Sequence, residues 1–198
     1  MNLLPYDGEL VYLGPLFSLE EQSHYLKNLK NEVNWSQERI RIYGKEIVMR
    51  RKVAWYADQN SIYKYGGYER KAFLWTNILL ELKQKVETLS NSNFNSCLLN
   101  YYLDGEDGMG WHSDNEKELK KHACISSVSF GAGRKMKFKH KTTKEVVDLY
   151  LEPGSLVLMK NEIQDFWLHS IPKTKKVNSE RINLTFRTYD TNNNRNLT

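Results

Sequence analysis

The chain has 198 residues, 40% hydrophobic and 27% charged, enough for one domain with a core of its own and ordinary for a soluble globular protein. Its net charge of +5 is compatible with an anionic partner such as nucleic acid, though composition by itself favours a generic basic surface. No apolar run approaches the ~18 residues that span a bilayer, and the start Met1-Asn-Leu-Leu-Pro-Tyr-Asp-Gly-Glu9 has neither the basic nor the apolar region of a signal peptide. The expectation is a soluble, intracellular, monomeric chain (cytoplasmic, or nuclear in a eukaryote).

In chain order, Ser18-Leu-Glu-Glu21 has the spacing of a capping box and opens a helix to about Asn31. Arg39-Ile-Arg-Ile-Tyr-Gly-Lys-Glu-Ile-Val-Met-Arg-Arg51 reads as a hairpin turning near Tyr43-Gly44-Lys45. Ile62-Tyr-Lys-Tyr-Gly-Gly67 follows, whose tyrosines read by themselves as half-buried core. A second helix is expected over about Arg70–Leu89, with Leu74, Ile78, Leu82, Val86 and Leu89 near helical spacing.

The second half reads as successive short strands, roughly Phe94–Leu103, Cys124–Phe130, Arg134–His140, Val146–Leu151, Ser155–Met159, Phe166–Ile171 and Arg181–Tyr189. Gly105/Gly108/Gly110, Gly131-Ala-Gly133 and Pro153-Gly154 punctuate them. Many short strands after a helical start imply a mainly β fold with flanking helices, a jelly roll. Asp190–Thr198 is polar and expected to fray.

Neither Cys97 nor Cys124 belongs to a C-x-x-C pair, so a cysteine metal site is not supported and both are expected as free thiols in a reducing compartment. His112 and Asp114 are two residues apart, an arrangement that on a strand points both side chains one way. With the distant His169 they supply two imidazoles and one carboxylate, the donor set of a facial iron(II) triad. His24, His122 and His140 lie in a helix, a lysine-rich loop and a basic strand, and are expected at the surface.

Arg181, Asn183, Thr185 and Arg187 alternate with Ile182, Leu184 and Phe186, so the polar set shares one strand face. Arginines pointing into a sandwich are costly unless paired with anions, and a dicarboxylate is such an anion; the alternative is a solvated face. Asn100 and Tyr102 have the same spacing and can converge on the same ligand. Lys135, Lys137, Lys139 and Lys141 make a lysine face, and Lys173, Lys175 and Lys176 a second cluster. These suit phosphate contact or simple edge protection.

Taken together, Asn100-x-Tyr102, His112-x-Asp114-x-Glu116, Ser127-Val-Ser-Phe-Gly131, His169-Ser170 and Arg181-x-Asn-Leu-Thr-Phe-Arg187 resemble the AlkB family of nucleic-acid dealkylating dioxygenases, and most of all its duplex-DNA-repairing members. The resemblance covers about Arg41 to Tyr189 and implies one domain. Within it, 1–93 would carry N-terminal helices and a nucleotide-recognition hairpin and lid, 94–189 a double-stranded β-helix core, and 190–198 a tail. His112, Asp114 and His169 would hold Fe(II). Arg187 would pair with the distal carboxylate of 2-oxoglutarate, with Asn100 and Tyr102 helping; Arg181, Asn183 and Thr185 would line the same pocket. With O2 as oxidant, an N-alkyl group on a base in DNA would be hydroxylated and lost as an aldehyde. RNA or protein substrates of the same chemistry, and a catalytically dead nucleic-acid-binding module, are the alternatives. Tyr63 and Tyr65 match the base-pocket segment, Tyr65 stacking on the flipped base opposite the His112 ring. Asn115 and Glu116 would reach the base edge, with Asn115 replacing an acidic residue. Arg51 would also contact the substrate, in a segment that usually starts with proline, where Arg50 stands here. Tyr43 would wedge into the base stack.

Overall fold

In this computed structural model the described residues are 1–42, 45–59, 62–65 and 68–190, with side chains at 38, 40–42, 45, 62–65 and 68–70 excepted. The elements run β1 (Glu9–Pro15), α1 (Leu19–Glu32), β2 (Ser36–Ile42), β3 (Lys45–Ala57), β4 (Ile62–Tyr65), β5 (Tyr68–Lys71), β6 (Phe73–Leu74), α2 (Asn77–Ser90), β7 (Ser96–Tyr102), β8 (Met109–His112), β9 (Ile125–Gly131), β10 (Arg134–His140), β11 (Val146–Leu151), β12 (Ser155–Lys160), α3 (Ile163–Phe166), β13 (Trp167–Ile171) and β14 (Arg181–Arg187).

The capping box at Ser18 forms in full. Glu21 N–H donates to Ser18 Oγ at 3.1 Å and Ser18 N–H to Glu21 Oε2 at 2.8 Å, which satisfies two donors the helix itself cannot. The second helix starts later than its apolar spacing suggests. Leu74, 56% exposed, belongs to β6, which runs parallel to Tyr56–Ala57 of β3, and Thr76 is the N-cap. The tyrosine, phenylalanine and tryptophan at 68, 73 and 75 favour extended backbone, and strand pairing takes this stretch from the helix.

Two sheets face each other. The larger runs β1-β12-β9-β14-β7-β3-β2, with β6 beside β3; the smaller runs β11-β10-β13-β8. Both are antiparallel along these orders. β4 and β5 form a separate hairpin.

Alternation on each strand of the large sheet divides its two faces. Val128, Phe130, Ile182, Leu184 and Phe186 pack against Phe17, Tyr25 and Leu29 at the α1 end and Leu79, Leu82 and Val86 of α2. The other face looks into the sandwich, where Leu10, Ile125, Val157 and Met159 meet Met136, Phe138, Trp167 and Ile171 of the small sheet. Only part of that interior is apolar. On β14, register places Asn183 between Ser129 and Asn100, and Thr185 between Ser127 and Leu98. All seven residues of β14 are buried, which removes the solvated-face alternative.

His140 departs from expectation. It is buried at 3% exposure, because Asp7 Oδ2 lies 3.1 Å from its Nε2 and Thr143 N–H donates to its Nδ1 at 3.0 Å. Cys97 is buried and Cys124 half-buried, both free thiols. The tail expected to fray lies, beyond residue 190, outside the described residues.

Candidate metal centre

His112 ends β8 and pairs in register with His169 on β13, their ring centroids 4.2 Å apart. Asp114 is not on a strand. It lies in the coil after β8, so other contacts, not a shared strand face, aim it. Its N–H donates to Gln164 Oε1 of α3 at 2.9 Å. Its Oδ2 accepts from Arg187 Nη2 at 2.6 Å and Nε at 3.1 Å. His112 Nε2 and Asp114 Oδ1 are 3.8 Å apart, and one ligand atom from each of His112, Asp114 and His169 lies within 4.8 Å of the others. Two imidazoles and one carboxylate converging this closely fit a facial triad.

Protonation favours ligation. His112 Nδ1 is 2.8 Å from Gly110 O; a carbonyl only accepts, so Nδ1 carries the proton and Nε2 the free lone pair. Burial, reinforced by His112, pushes His169 down to about 3, which keeps its ring neutral. Burial by itself would raise Asp114, but Arg187 and the two histidines outweigh it and hold it at about 2.

The arginines divide differently from the sequence reading. Arg187 was expected to hold a cosubstrate carboxylate, but its Nε and Nη2 are committed to Asp114 and the ion pair is buried on both sides. Arg181 holds the spare donors. It is 1% exposed; Nη2 donates to Ser129 Oγ at 2.8 Å, while Nε and Nη1 are buried without partners. Its guanidinium lies 5.1 Å from the Tyr102 ring centroid, a cation–π arrangement. Burial lowers its pKa to about 10, still far above neutrality. A buried, charged guanidinium with two idle donors fits a carboxylate ligand.

One cavity of about 200 Å³ gathers these groups, lined among others by Asn100, Tyr102, His112, Asp114, His169, Arg181, Asn183, Thr185 and Arg187. Asn183 Nδ2 donates to Ser127 Oγ at 2.8 Å and Val128 O at 2.9 Å, which fixes its amide.

The model of the 2OG-Fe(II) oxygenase superfamily matches residues 9–187. DNA oxidative demethylase ALKBH2 of Homo sapiens is 36% identical over 183 residues, 87% of this chain and 70% of that protein. Alpha-ketoglutarate-dependent dioxygenase alkB homolog 3 of Mus musculus is 34% identical over 201 residues, 95% and 69%. This chain belongs to the AlkB family of 2OG-Fe(II) oxygenases. It spans 66% of the length of the Bos taurus ALKBH2 it also matches. The solved structure of OsALKBH1, at 14% identity, superposes with a TM-score of 0.66 over 90% of this chain and 97% of that one, and shows the fold.

For an AlkB-family chain the cofactors are Fe(II), 2-oxoglutarate and O2, and the donor set described above suits the first two. Of the residues expected on the substrate side, Asn115 and Glu116 do line the cavity. Arg51 does not. It is buried, donating to Gly108 O at 3.3 Å and to Met109 Sδ at 3.2 Å, where it braces the turn before β8. Tyr63 and Tyr65 lie on β4, with side chains outside the described residues, as is Tyr43 altogether.

Sequence reading missed Gln164, Trp55, Tyr189, Met136 and Met159, of which all but Gln164 line the cavity. It also missed Arg134, buried at 2% exposure, whose Nη2 donates to Asp107 O at 2.8 Å and Pro172 O at 2.9 Å and ties the glycine turn to the end of β13. Arginine at the start of a lysine-alternating strand is the one signal that could have flagged it. The lysine face has partners within the chain. Lys135 and Lys137 pair with Asp148, Lys139 lies 4.5 Å over the Trp111 ring, and Lys141 Nζ donates to Gln164 O at 2.8 Å.

Proposed function

We propose that this protein oxidatively removes N-alkyl groups, methyl above all, from damaged bases in DNA. One observation carries the reading: a single cavity is lined by the His112–Asp114–His169 triad, by the donor-rich Arg181 and, on the substrate side, by Asn115 and Glu116. Bound iron supplies activation of O2 coupled to oxidative decarboxylation of 2-oxoglutarate to succinate. The chain does the placing. Arg181 takes the distal carboxylate, with Tyr102 and Asn100 beside it, and Ser129 fixes the fork. Arg187 and Gln164 aim Asp114. Met109, Met136, Met159 and Ile171 add apolar wall, which limits the access of water. Hydroxylation of an N-alkyl carbon leaves a hemiaminal, whose C–N bond breaks to give an aldehyde and the restored base.

A base inside a duplex reaches this cavity only if flipped out. Tyr65 and the His112 ring would flank it, with Asn115 and Glu116 at its edge. Tyr43, which lies outside the described residues, would serve as the wedge into a base step. The named activity of the ALKBH2 relatives supports DNA as substrate.

The test supplies Fe(II), 2-oxoglutarate and O2 with methylated duplex DNA, single-stranded DNA and RNA, and measures aldehyde and succinate. Aldehyde release from DNA, absent in Asp114→Ala, is expected. Succinate without aldehyde from any of the three would refute the assignment, and turnover of RNA alone would move it to RNA.

A further inference from the structure

A second cavity, of about 260 Å³, adjoins the first. Asp114, Asn115 and Glu116 line both, so the segment expected to touch the base is the wall between them. The far side of this second cavity is basic: Lys117, Lys120 and Lys121 line it with His122, Asn161 and Gln164.

Three features separate these lysines from the rest of the positive surface. None of the three has a carboxylate within ion-pair distance among the described residues, whereas Lys135 and Lys137 share Asp148. Of the three carboxylates that line this cavity, Asp165 pairs with His122 at 2.9 Å and Asp114 with Arg187 at 2.6 Å, while Glu116 lines the first cavity as well. The loop that carries them is also held in place. Lys120 N–H donates to Thr188 O at 2.8 Å, Asp190 N–H to Glu118 O at 2.8 Å, and Leu119 bridges Tyr189. Cations without an ion-pair partner on a pinned loop suit an anion, because binding breaks no prior ion pair and orders little backbone.

We infer that this second cavity binds the backbone phosphate next to the flipped nucleotide, with Lys120 and Lys121 as its principal contacts. The inference rests on the proposed function and specifies how the substrate strand is gripped. A nucleotide whose base enters the first cavity past Asn115 and Glu116 must leave its phosphates outside that wall, and the second cavity is what lies there. Phosphate contacts position a strand without reading its sequence, so this site sets affinity and register while the first cavity selects the lesion.

The experiment measures binding of a single-stranded deoxyoligonucleotide carrying one N-methylated adenine, from low salt to 1 M. It compares wild type, Lys120→Ala/Lys121→Ala, Lys120→Arg/Lys121→Arg and, as a surface control, Lys135→Ala/Lys137→Ala. For single strands each lost phosphate contact flattens the log–log salt slope by about 0.7. The alanine pair should therefore flatten it by about 1.4, equivalent to roughly 25-fold weaker binding at 0.1 M salt that converges with wild type near 1 M. The arginine pair should keep the wild-type slope and the control pair should not change it. Turnover of the N-methylated nucleoside, which has no phosphate, should be equal in all four proteins, as should Co(II) binding at the triad. An unchanged slope in the alanine pair, or an equal change in the control pair, would overturn the inference while leaving the function intact. Failure of the wild type to bind the oligonucleotide at any salt would overturn both.

Discussion

Arg181→Met separates the ligand role assigned to Arg181 from a structural one, because the two predict opposite signs. In the free protein the guanidinium is buried with Nε and Nη1 unpartnered and one bond, to Ser129 Oγ. Each unsatisfied buried donor costs about 1–3 kcal/mol, while the Ser129 bond contributes about 1 kcal/mol. Methionine fills a similar length without polar atoms, so the metal-free, ligand-free variant should be more stable than wild type by about 1–5 kcal/mol. Cosubstrate binding should move the other way. Two charge-assisted bonds to a carboxylate are lost, at about 1.5–3 kcal/mol each, so 2-oxoglutarate affinity should fall roughly 10²- to 10⁴-fold. The assay is denaturant unfolding of apo protein, then calorimetric titration of 2-oxoglutarate into Mn(II)-loaded protein, which does not turn over. At a ligand concentration 100 times its Kd, wild type should gain about 2.7 kcal/mol of stability, and the variant almost none. A variant that binds 2-oxoglutarate within tenfold of wild type would refute the assignment and return that role to Arg187.

Arg187→Met should behave oppositely, destabilising the apo protein by about 3–5 kcal/mol, because Asp114 stays buried without its counter-ion; the double variant with Asp114→Asn should recover part of that loss in the same unfolding assay. Gln164→Ala leaves the Asp114 N–H without its acceptor, and Mn(II) titration should show metal affinity reduced roughly 10- to 100-fold. The acid limb of apo stability should carry a His169 signature. Burial lowers its folded pKa to about 3 from the ordinary 6.5, so the unfolded chain binds the extra proton below pH 6.5 and stability falls from there toward pH 3. The slope approaches about 1.4 kcal/mol per pH unit for one proton; His169→Gln should remove it, and superimposable unfolding curves for the two proteins between pH 6.5 and 4 would contradict this.

Apart from β8, the strands from residue 96 onward were legible because each is short and bounded by residues that force a turn. Gly131, for example, has φ 86° and a Cβ there would meet Glu180 O at 2.4 Å, so its position marks a strand end. β8 was not legible. Met109-Gly-Trp-His112 is four residues long with a glycine inside it, too little to show a period, and its place is set by pairing with β13. The α2 boundary was misread for the reverse reason, since an apolar period ran on through Leu74 into residues that strand pairing had claimed. His140 was misread because nothing local announces that Asp7, far away in sequence, will cover it. The triad members were legible as residue types in order, but not how they are aimed. The His-x-Asp spacing suggested a shared strand face, whereas Asp114 takes its direction from Arg187 and Gln164, distant residues that sequence spacing cannot connect to it.

The same limit explains why spacing along β14 does not tell the partners of the two arginines apart. Alternation along β14 fixes the face on which a side chain lies and says nothing about its height on that face. Arg181 and Arg187 are six residues apart, about 20 Å of strand at ~3.3 Å per residue, so one small dicarboxylate does not engage both of their forks. Two buried guanidiniums on one face therefore need two separate anions. The fold supplies one of them from within, by folding Asp114 back from the end of β8 onto Arg187. That contact cannot serve Arg181, which borders Tyr102 and Gly131 at the far end of the strand. The internal carboxylate thus does two things at once: it joins the His112–His169 cluster, and it occupies Arg187 while Arg181 stays buried with Nε and Nη1 unpartnered.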